Sequence, residues 1–208
     1  RADWGSDWHS QFFANEGLAV LQPNFRGSAG YGDAWFQKNG FQSWRTAIGD
    51  VTDAGRWLVK QGIADPAKLG ILGWSYGGYA ALQSAVVEPD LFKRVVAIAP
   101  VTDLDRLKLE NQIYSSYQEV VRFVGTGAHI EQGSPARHAD KIKAPVLLFH
   151  GDLDRNVGVA HAQAMYDRLK AAGAKSDLVI FNGLDHYLED SEARARLLRQ
   201  SAEFLKVP

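Results

Sequence analysis

The fold is decided by residues 69–82, which read LGILGWSYGGYAAL. The first half is a short apolar run typical of a buried strand, and the second half is a small-residue segment with helical spacing. Between them lies GWSYG, residues 73–77, which fits the pattern G-x-S-x-G in the strand-to-helix context that this pattern requires. A chance match in a glycine-rich turn is the alternative. We predict that Ser75 stands exposed on a sharp turn, with glycines two positions either side because little space is left there.

Outward from this stretch, apolar strand-like segments alternate with segments of helical spacing. The predicted strands are residues 18–21, 69–74, 95–99, 146–149 and 178–181. The predicted helices are residues 50–61, 77–88, 159–172 and 191–205. Such alternation implies parallel strands joined by crossover helices on both faces of a sheet. We therefore predict an α/β fold with a doubly wound, mostly parallel sheet.

Several element boundaries carry local signals. Ser191 is a suitable cap for the last predicted helix, and Gly173 is suited to end the helix before it. Residues 103–133 keep no single apolar register and predict an irregular helical excursion. No internal repeat, low-complexity tract or linker interrupts the chain, so we expect its 208 residues to belong to one domain.

The composition argues against several functions. A net charge of -1, with no basic cluster among aromatic residues, gives no footprint for nucleic-acid binding. The lack of cysteine removes disulfides, thiolate nucleophiles and cysteine zinc sites but leaves the compartment open. The apolar runs are far shorter than the roughly 20 residues of a membrane-spanning helix, so none is predicted. The chain starts at Arg1 without a signal-peptide pattern, which indicates a processed or cut terminus.

A hydroxyl such as that of Ser75 needs a base before it becomes a nucleophile, so a histidine and an acid are expected further along the chain. Asp152 and Asp154 follow the fourth predicted strand, and His186 follows the fifth. Because the carboxyl ends of parallel strands share one edge of a sheet, these side chains can converge there. The chain order serine, aspartate, histidine is that of α/β-hydrolases.

Other candidate groups have simpler interpretations. His150 ends a strand and is expected to satisfy local hydrogen bonds rather than act as the base. The run from Asp152 to Asn156 resembles the opening of a calcium loop, but Val157 and Gln163 stand where glycine and glutamate are required. We therefore expect no metal site. The remaining histidines are expected at the surface: His9, His129, His138 and His161.

Several motifs occur together. Residues 24–32, NFRGSAGYG, match neither a P-loop nor a dinucleotide fingerprint and predict a structural turn beside the site. GWSYGGY occupies residues 73–79, and SP at 134–135 precedes IKAPVLLFHG at 142–151. Together these stretches resemble motifs of the catalytic domain of the prolyl oligopeptidase family of serine peptidases, especially its dipeptidyl-peptidase and acylaminoacyl-peptidase branches. The resemblance covers nearly the whole chain and implies an α/β-hydrolase fold.

The resemblance implies a role for each site residue. Ser75 is the nucleophile, His186 the general acid and base, and Asp154 rather than Asp152 orients the histidine. The backbone N–H of Tyr76 donates one hydrogen bond to the oxyanion, and its ring walls an apolar pocket for the substrate side chain. The other implied substrate-binding positions are Val101, Leu104 and Val157, which line this pocket, and Asn156, which touches a substrate carbonyl.

The resemblance also implies parts that this chain lacks. Domains of the family have further strands before Trp4, and one of them precedes a loop that supplies a second oxyanion donor. In the family's strand order that strand lies between the strands ending near Phe25 and near Trp74. A β-propeller is absent as well. We therefore expect residues 1–208 to form an N-terminally truncated, partial α/β-hydrolase domain that needs the remainder of its own larger polypeptide as a partner.

Three functions stay open at this point. The resemblance favours a serine peptidase that hydrolyses short peptides through an acyl-enzyme, without a cofactor. A carboxylesterase on the same scaffold is the alternative, because a serine triad does not by itself separate amides from esters. A catalytically silent fragment or pseudoenzyme is the third. A homo-oligomer is compatible with each of them.

Overall fold

The computed structural model describes residues 7–36 and 40–207. Within these residues the sheet has four strands in the order β1-β2-β3-β4, and every neighbouring pair is parallel. The strands are β1 (Gly70–Trp74), β2 (Arg94–Ile98), β3 (Val146–Gly151) and β4 (Ser176–Phe181). The α/β fold with a parallel sheet is thereby confirmed.

Helices precede, connect and follow the strands. They are α1 (Trp8–Asn15), α2 (Asp33–Phe36), α3 (Trp44–Lys60), α4 (Tyr76–Val87), α5 (Leu104–Asn111), α6 (Tyr117–Val124), α7 (His129–Gln132), α8 (Ala160–Ala171) and α9 (Ser191–Lys206). Short 3-10 helices span Gly40–Ser43 and Pro135–Lys141. In the described part of the chain, no helix combines the length and the apolar character needed to cross a membrane.

The alternation of side chains along the central strands explains why both faces are covered. In β2, Val95 and Ala97 pack into a core with helices α4 and α8, whereas Val96 and Ile98 pack into a second core with helix α9. All four of these side chains are fully buried. Successive residues of a strand point to opposite faces, so an unbroken apolar run is what a strand between two helical layers requires.

Residues 18–21 form no strand, and the prediction for this segment is wrong. A strand exists only through hydrogen bonds to a neighbour, and strand β1 pairs only with β2 among the described residues. A cavity of about 740 Å³ separates the chain at Leu21–Phe25 from strand β1. The apolar residues of β1 are accordingly all half-buried, in contrast to those of β3, which are fully buried.

Other boundaries differ in smaller ways. Helix α3 begins at Trp44, six residues before the predicted start, because the preceding 3-10 helix leads directly into it. Helix α9 is capped by Asp190, whose carboxylate accepts a 2.7 Å hydrogen bond from Ala193 N; Ser191 is its first residue. Helix α8 ends as predicted beside Gly173, which has a φ of 76°. The irregular excursion is three short helices, α5 to α7.

Candidate active site

Ser75 occupies the turn between strand β1 and helix α4. Its backbone has φ 58° and ψ -116°, a conformation that a residue with a side chain adopts only when its surroundings impose it. Two hydrogen bonds impose it here: Ser75 N donates to Ile98 O at 2.8 Å, and Ser75 O accepts from Tyr79 N at 3.0 Å. The serine is therefore held between the neighbouring strand and the first turn of its own helix.

The glycines around Ser75 differ in whether the surrounding atoms leave space for a side chain. A Cβ on Gly73 would lie 2.0 Å from Gly77 O, and one on Gly78 would lie 2.9 Å from Pro100 Cβ. A Cβ on Gly77 would meet no atom within 4 Å, because this residue borders the 740 Å³ cavity. Crowding was predicted at both glycines that flank the serine. Among the described residues this prediction is correct for Gly73 and wrong for Gly77. The second crowded glycine is instead Gly78.

Asp154 and His186 form a buried hydrogen-bonded pair. His186 Nδ1 lies 2.6 Å from Asp154 Oδ2, and the two side chains are 9% and 0% exposed. The other carboxylate oxygen accepts hydrogen bonds from Asn156 N at 2.8 Å and Val157 N at 2.9 Å. Burial by itself would raise the pKa of Asp154, but the hydrogen bonds from His150, His186 and the backbone outweigh it and hold this pKa well below its usual range.

Three loops meet around this pair. Trp74 Nε1, next to the serine, donates to His186 O at 3.1 Å, so the end of β1 contacts the histidine loop directly. The loop after β3 contacts the same histidine loop through Gly183 N, which donates to Asp152 Oδ1 at 2.7 Å. The structure thus brings Asp154 to the imidazole, gives Asp152 a backbone contact, and joins Trp74, the residue before Ser75, to the histidine backbone.

Three of the predicted pocket residues lie in an apolar cluster that contacts Tyr76, the residue after the serine. Val101, Leu104 and Val157 are buried in one apolar cluster, and Tyr76 packs against it. Burial raises the pKa of Tyr76 to about 12, which keeps its hydroxyl neutral. Asn156 is exposed on the loop beside them. Three of the five predicted substrate-binding residues are therefore core residues packed against Tyr76, and Asn156 is exposed; their contacts with substrate stay a prediction.

The segment 24–32 lies beside this site as a turn, as predicted. Phe25 stacks on the Tyr76 ring with centroids 5.6 Å apart. Arg26 ties the turn to helix α3 through hydrogen bonds to Asp50, from its backbone N–H at 2.8 Å, from Nε at 2.9 Å and from the guanidinium tip at 2.6 Å. The turn thus packs against the tyrosine that follows Ser75.

The sequence profile of the prolyl oligopeptidase family matches residues 4–207. The chain belongs to the prolyl oligopeptidase family. It is 33% identical over 195 residues to dipeptidyl aminopeptidase BIII of Pseudoxanthomonas mexicana, and the alignment covers 89% of this chain and 28% of that protein. It is 25% identical to acylamino-acid-releasing enzyme 1 of Oryza sativa subsp. japonica, over 88% of this chain and 26% of that protein.

Solved structures of family members show the same architecture. A puromycin-hydrolyzing peptidase of Mycobacterium tuberculosis superposes with a TM-score of 0.79 at 29% identity, over 88% of this chain and 28% of that one. The acylaminoacyl peptidase of Pyrococcus horikoshii superposes with a TM-score of 0.77 at 23% identity. This member of the prolyl oligopeptidase family thus spans slightly more than a quarter of the length of the relatives it matches.

Two histidines, His161 and His150, make contacts that the sequence did not predict. His161, expected at the surface, is fully buried; its Nδ1 accepts from Thr102 N at 3.0 Å, and its Nε2 lies 3.4 Å from Glu110 Oε2. His150 makes the expected local hydrogen bond and also contacts Asp154. The local hydrogen bond of His150 was predictable, because this residue ends a wholly apolar run. Its contact with Asp154 and the burial of His161 were not, because a single polar residue does not reveal its facing partner.

No group of three or more histidine, aspartate or glutamate side chains in residues 7–36 and 40–207 is arranged to hold a metal ion. Ser75 lies at the start of helix α4, and the imidazole of His186 is held by the Asp154 carboxylate. A hydroxyl and an imidazole oriented by a carboxylate are the groups that nucleophilic catalysis by a serine uses.

Proposed function

We propose that this chain is the catalytic part of a serine peptidase that cleaves short peptides or acylated amino acids, with Ser75 as nucleophile, His186 as general acid and base, and Asp154 as the group that orients His186. The observation that carries the proposal is the 2.6 Å buried contact between His186 and Asp154 beside the strained turn at Ser75. Positive φ at a serine between strand and helix is typical of an exposed nucleophile.

The proposed mechanism follows from the direction of each hydrogen bond. Because Asp154 is ionised and accepts the Nδ1–H of His186, the Nε2 of the same ring has a free lone pair for the serine proton. Ser75 Oγ then attacks the substrate carbonyl, and the Tyr76 N–H at the start of helix α4 donates to the developing oxyanion. His186 returns the proton to the leaving amine, and water repeats the sequence on the acyl-enzyme.

The proposed substrate class rests on the apolar cluster that packs against Tyr76 and on the relatives. Val101, Leu104 and Val157 are buried in this cluster, which would back a site for an uncharged side chain. Asn156 is exposed next to Val157 in the chain, and we propose that its amide contacts a substrate carbonyl. Relatives are named for dipeptidyl, acylamino-acid and puromycin substrates, which supports short amides as substrates of this chain.

We also propose that residues 1–208 are a partial α/β-hydrolase domain of a longer polypeptide. The supporting observations are the 28% coverage of a relative and the cavity beside strand β1. A further strand in that cavity would pair with β1, and the loop following it would bring a second oxyanion donor. The loss of one such donor costs about 2.7 to 4 kcal/mol in the transition state, so we expect slow turnover from the chain alone.

Hydrogen exchange tests the proposed strand. The amides of Gly70 and Leu72 face the open edge of β1, because Leu69 and Ser75 bond on the β2 side and successive residues of a strand alternate. They are expected to exchange slowly in the full-length protein and faster in the 208-residue chain. Amides of Val96 and Leu148, which lie inside the sheet in both forms, are the internal reference. Equal protection of β1 in both forms would contradict the proposal.

Activity assays on the full-length protein test the chemistry. A fluorophosphonate probe is expected to label Ser75, and dipeptidyl or acylaminoacyl anilides are expected to be hydrolysed. Ser75→Ala and His186→Ala should each remove nearly all turnover, and the double variant should cost little more because the residues act as a unit. Ester turnover without anilide turnover would favour a carboxylesterase, and an unlabelled protein would favour a silent one.

Ser84→Ala is the matched control for these variants. Ser84 lies on the same helix as the residue after the nucleophile, is fully buried, and has a hydroxyl without a hydrogen-bond partner among the described residues. Removal of the Ser84 hydroxyl therefore breaks no hydrogen bond among the described residues. Full labelling and full turnover are expected from this variant.

A further inference from the structure

A second histidine contacts the carboxylate of Asp154. His150 lies near the end of strand β3 and is fully buried. Its Nε2 is 2.8 Å from Val157 O and 3.2 Å from Asp154 Oδ2, the same oxygen that contacts His186. Its Nδ1 is buried without a hydrogen-bond partner among the described residues.

These contacts determine where the His150 proton is. A carbonyl oxygen such as that of Val157 can only accept, so Nε2 must carry the hydrogen. The opposite tautomer would point a lone pair at both the carbonyl and the carboxylate. The doubly protonated ring would bury an unpaired Nδ1–H, which is costly. His150 is therefore a neutral imidazole whose single N–H is shared between Val157 O and Asp154 Oδ2.

We propose that His150 is a positioning residue for the Asp154–His186 pair, an inference that rests on the function proposed above. The ring of His150 spans the loop that follows β3, from the last residues of the strand to Val157. By donating to both Asp154 and Val157 O, it sets the orientation of the carboxylate and of the backbone that supports it. In this proposal His150 contacts no substrate. It holds the Asp154 carboxylate in the orientation in which that carboxylate accepts the Nδ1–H of His186.

The donor set of the carboxylate supports this role. Oδ1 has two backbone donors, and Oδ2 has the two histidines. Without His150, Oδ2 would keep only the His186 contact, and the carboxylate would be free to tilt. Burial raises the pKa of Asp154, and among the groups that lower it the His150 hydrogen bond contributes most, ahead of His186.

The test compares two variants of nearly equal shape in the full-length protein. His150→Gln keeps an N–H donor that can reach both oxygens, whereas His150→Met has none. We expect His150→Met to lower kcat by about ten- to a hundredfold, the range for a lost hydrogen bond to a charged group, with little change in KM. His150→Gln should recover most of that loss. The control is His138→Met, because His138 Nε2 also contacts a carbonyl, Glu131 O, but no carboxylate.

Two spectroscopic measurements keep the inference separate from the proposed activity. The Nδ1 proton of His186 should give a far-downfield proton resonance in the unmodified protein, in His150→Gln and in His138→Met, and the resonance should shift or broaden in His150→Met. In the unmodified protein, ¹⁵N-labelled His150 should show the neutral Nε2–H tautomer. This measurement does not depend on whether any variant folds.

The inference would be overturned by equal kcat values for the Gln and Met variants, by an unchanged downfield resonance in His150→Met, or by an Nδ1–H or charged form of His150. Absence of hydrolysis of every anilide and ester by the unmodified protein would instead refute the proposed function. In that case the resonance and the tautomer still decide whether His150 holds Asp154.

Discussion

At the scale of single residues, the two aspartates of one loop should differ sharply. Asp154→Asn places an amide where a carboxylate accepts the Nδ1–H of His186, which forces the wrong tautomer; a loss of roughly ten-thousandfold in kcat is expected by analogy with other serine triads. Asp152→Asn keeps an oxygen for the Gly183 N–H at 2.7 Å and should lower kcat only mildly. Steady-state kinetics on anilide substrates measure both, and a reversed ranking would show that the acid is misassigned.

The sequence could predict much of the site at this scale because strand ends are visible in it. The positions of Asp154 and His186 after apolar runs were enough to predict that their loops meet. The approach of Ser75 to His186 stays a prediction. The choice between Asp152 and Asp154 needed the family resemblance, because both follow the same strand by a few residues. The contact of His150 with the carboxylate was not predictable, since it depends on how tightly the loop after β3 folds back.

At the scale of elements, the turn between β1 and α4 offers a sharp contrast between two glycines. Gly73→Ala would place Cβ 2.0 Å from Gly77 O, so we expect it to lower the free energy of unfolding by about 1 to 3 kcal/mol. Gly77→Ala meets open space and lies in a helix, where alanine is favoured over glycine by up to about 1 kcal/mol. Urea unfolding of the 208-residue chain should therefore show a loss for the first and no loss for the second.

The same comparison in the full-length protein bears on the proposed strand. Gly77 borders the cavity that the strand would occupy, so the added methyl group should cost stability there although it costs none in the chain alone. If Gly77→Ala is equally tolerated in both forms, nothing packs against this position and the cavity stays open.

His161 connects helix α8 to the loop that carries Val101. Its Nδ1 accepts from Thr102 N at 3.0 Å, and both residues are fully buried. His161→Leu would leave that N–H without an acceptor, so a loss of about 1 to 3 kcal/mol in the free energy of unfolding is expected. His161→Gln supplies an oxygen acceptor and should lose less. Equal losses from the two variants in urea unfolding would show that the hydrogen bond is unimportant.

At the scale of the whole molecule, the sequence predicted the four strands that pair among the described residues and failed at residues 18–21, which pair with none of them. Apolar runs at β1 to β4 each lie next to another strand, so local pattern and long-range pairing agree. Residues 18–21 have the same local pattern, but a cavity lies where the neighbouring strand would be. Strand formation depends on a partner that periodicity cannot report, whereas a helix satisfies its own backbone.

Acid should unfold the whole molecule through a few buried and half-buried carboxylates. The pKa values of Asp154, Asp103 and Glu110 all lie below their ordinary values; for each, burial raises the pKa but hydrogen bonds outweigh it, and Arg137 lowers the pKa of Asp103 further, as Arg106 does that of Glu110. A depressed pKa in the folded state means that the unfolded chain binds protons first as the pH falls. The stability from these groups is therefore complete above about pH 5 and is lost progressively below about pH 4.

Asp103 allows the sign of this effect to be tested. Arg137 contacts its carboxylate at 2.8 and 3.0 Å, and the same carboxylate caps helix α5. Asp103→Asn keeps the cap but loses the charge, so it should be less stable than the unmodified protein at pH 7, and the gap should close as the pH falls to about 3. Urea midpoints across this range measure the gap, with the exposed Asp167→Asn on helix α8 as control. A gap that stays constant with pH would mean that the ion pair contributes nothing to folding, and that the loss at pH 7 comes from packing alone.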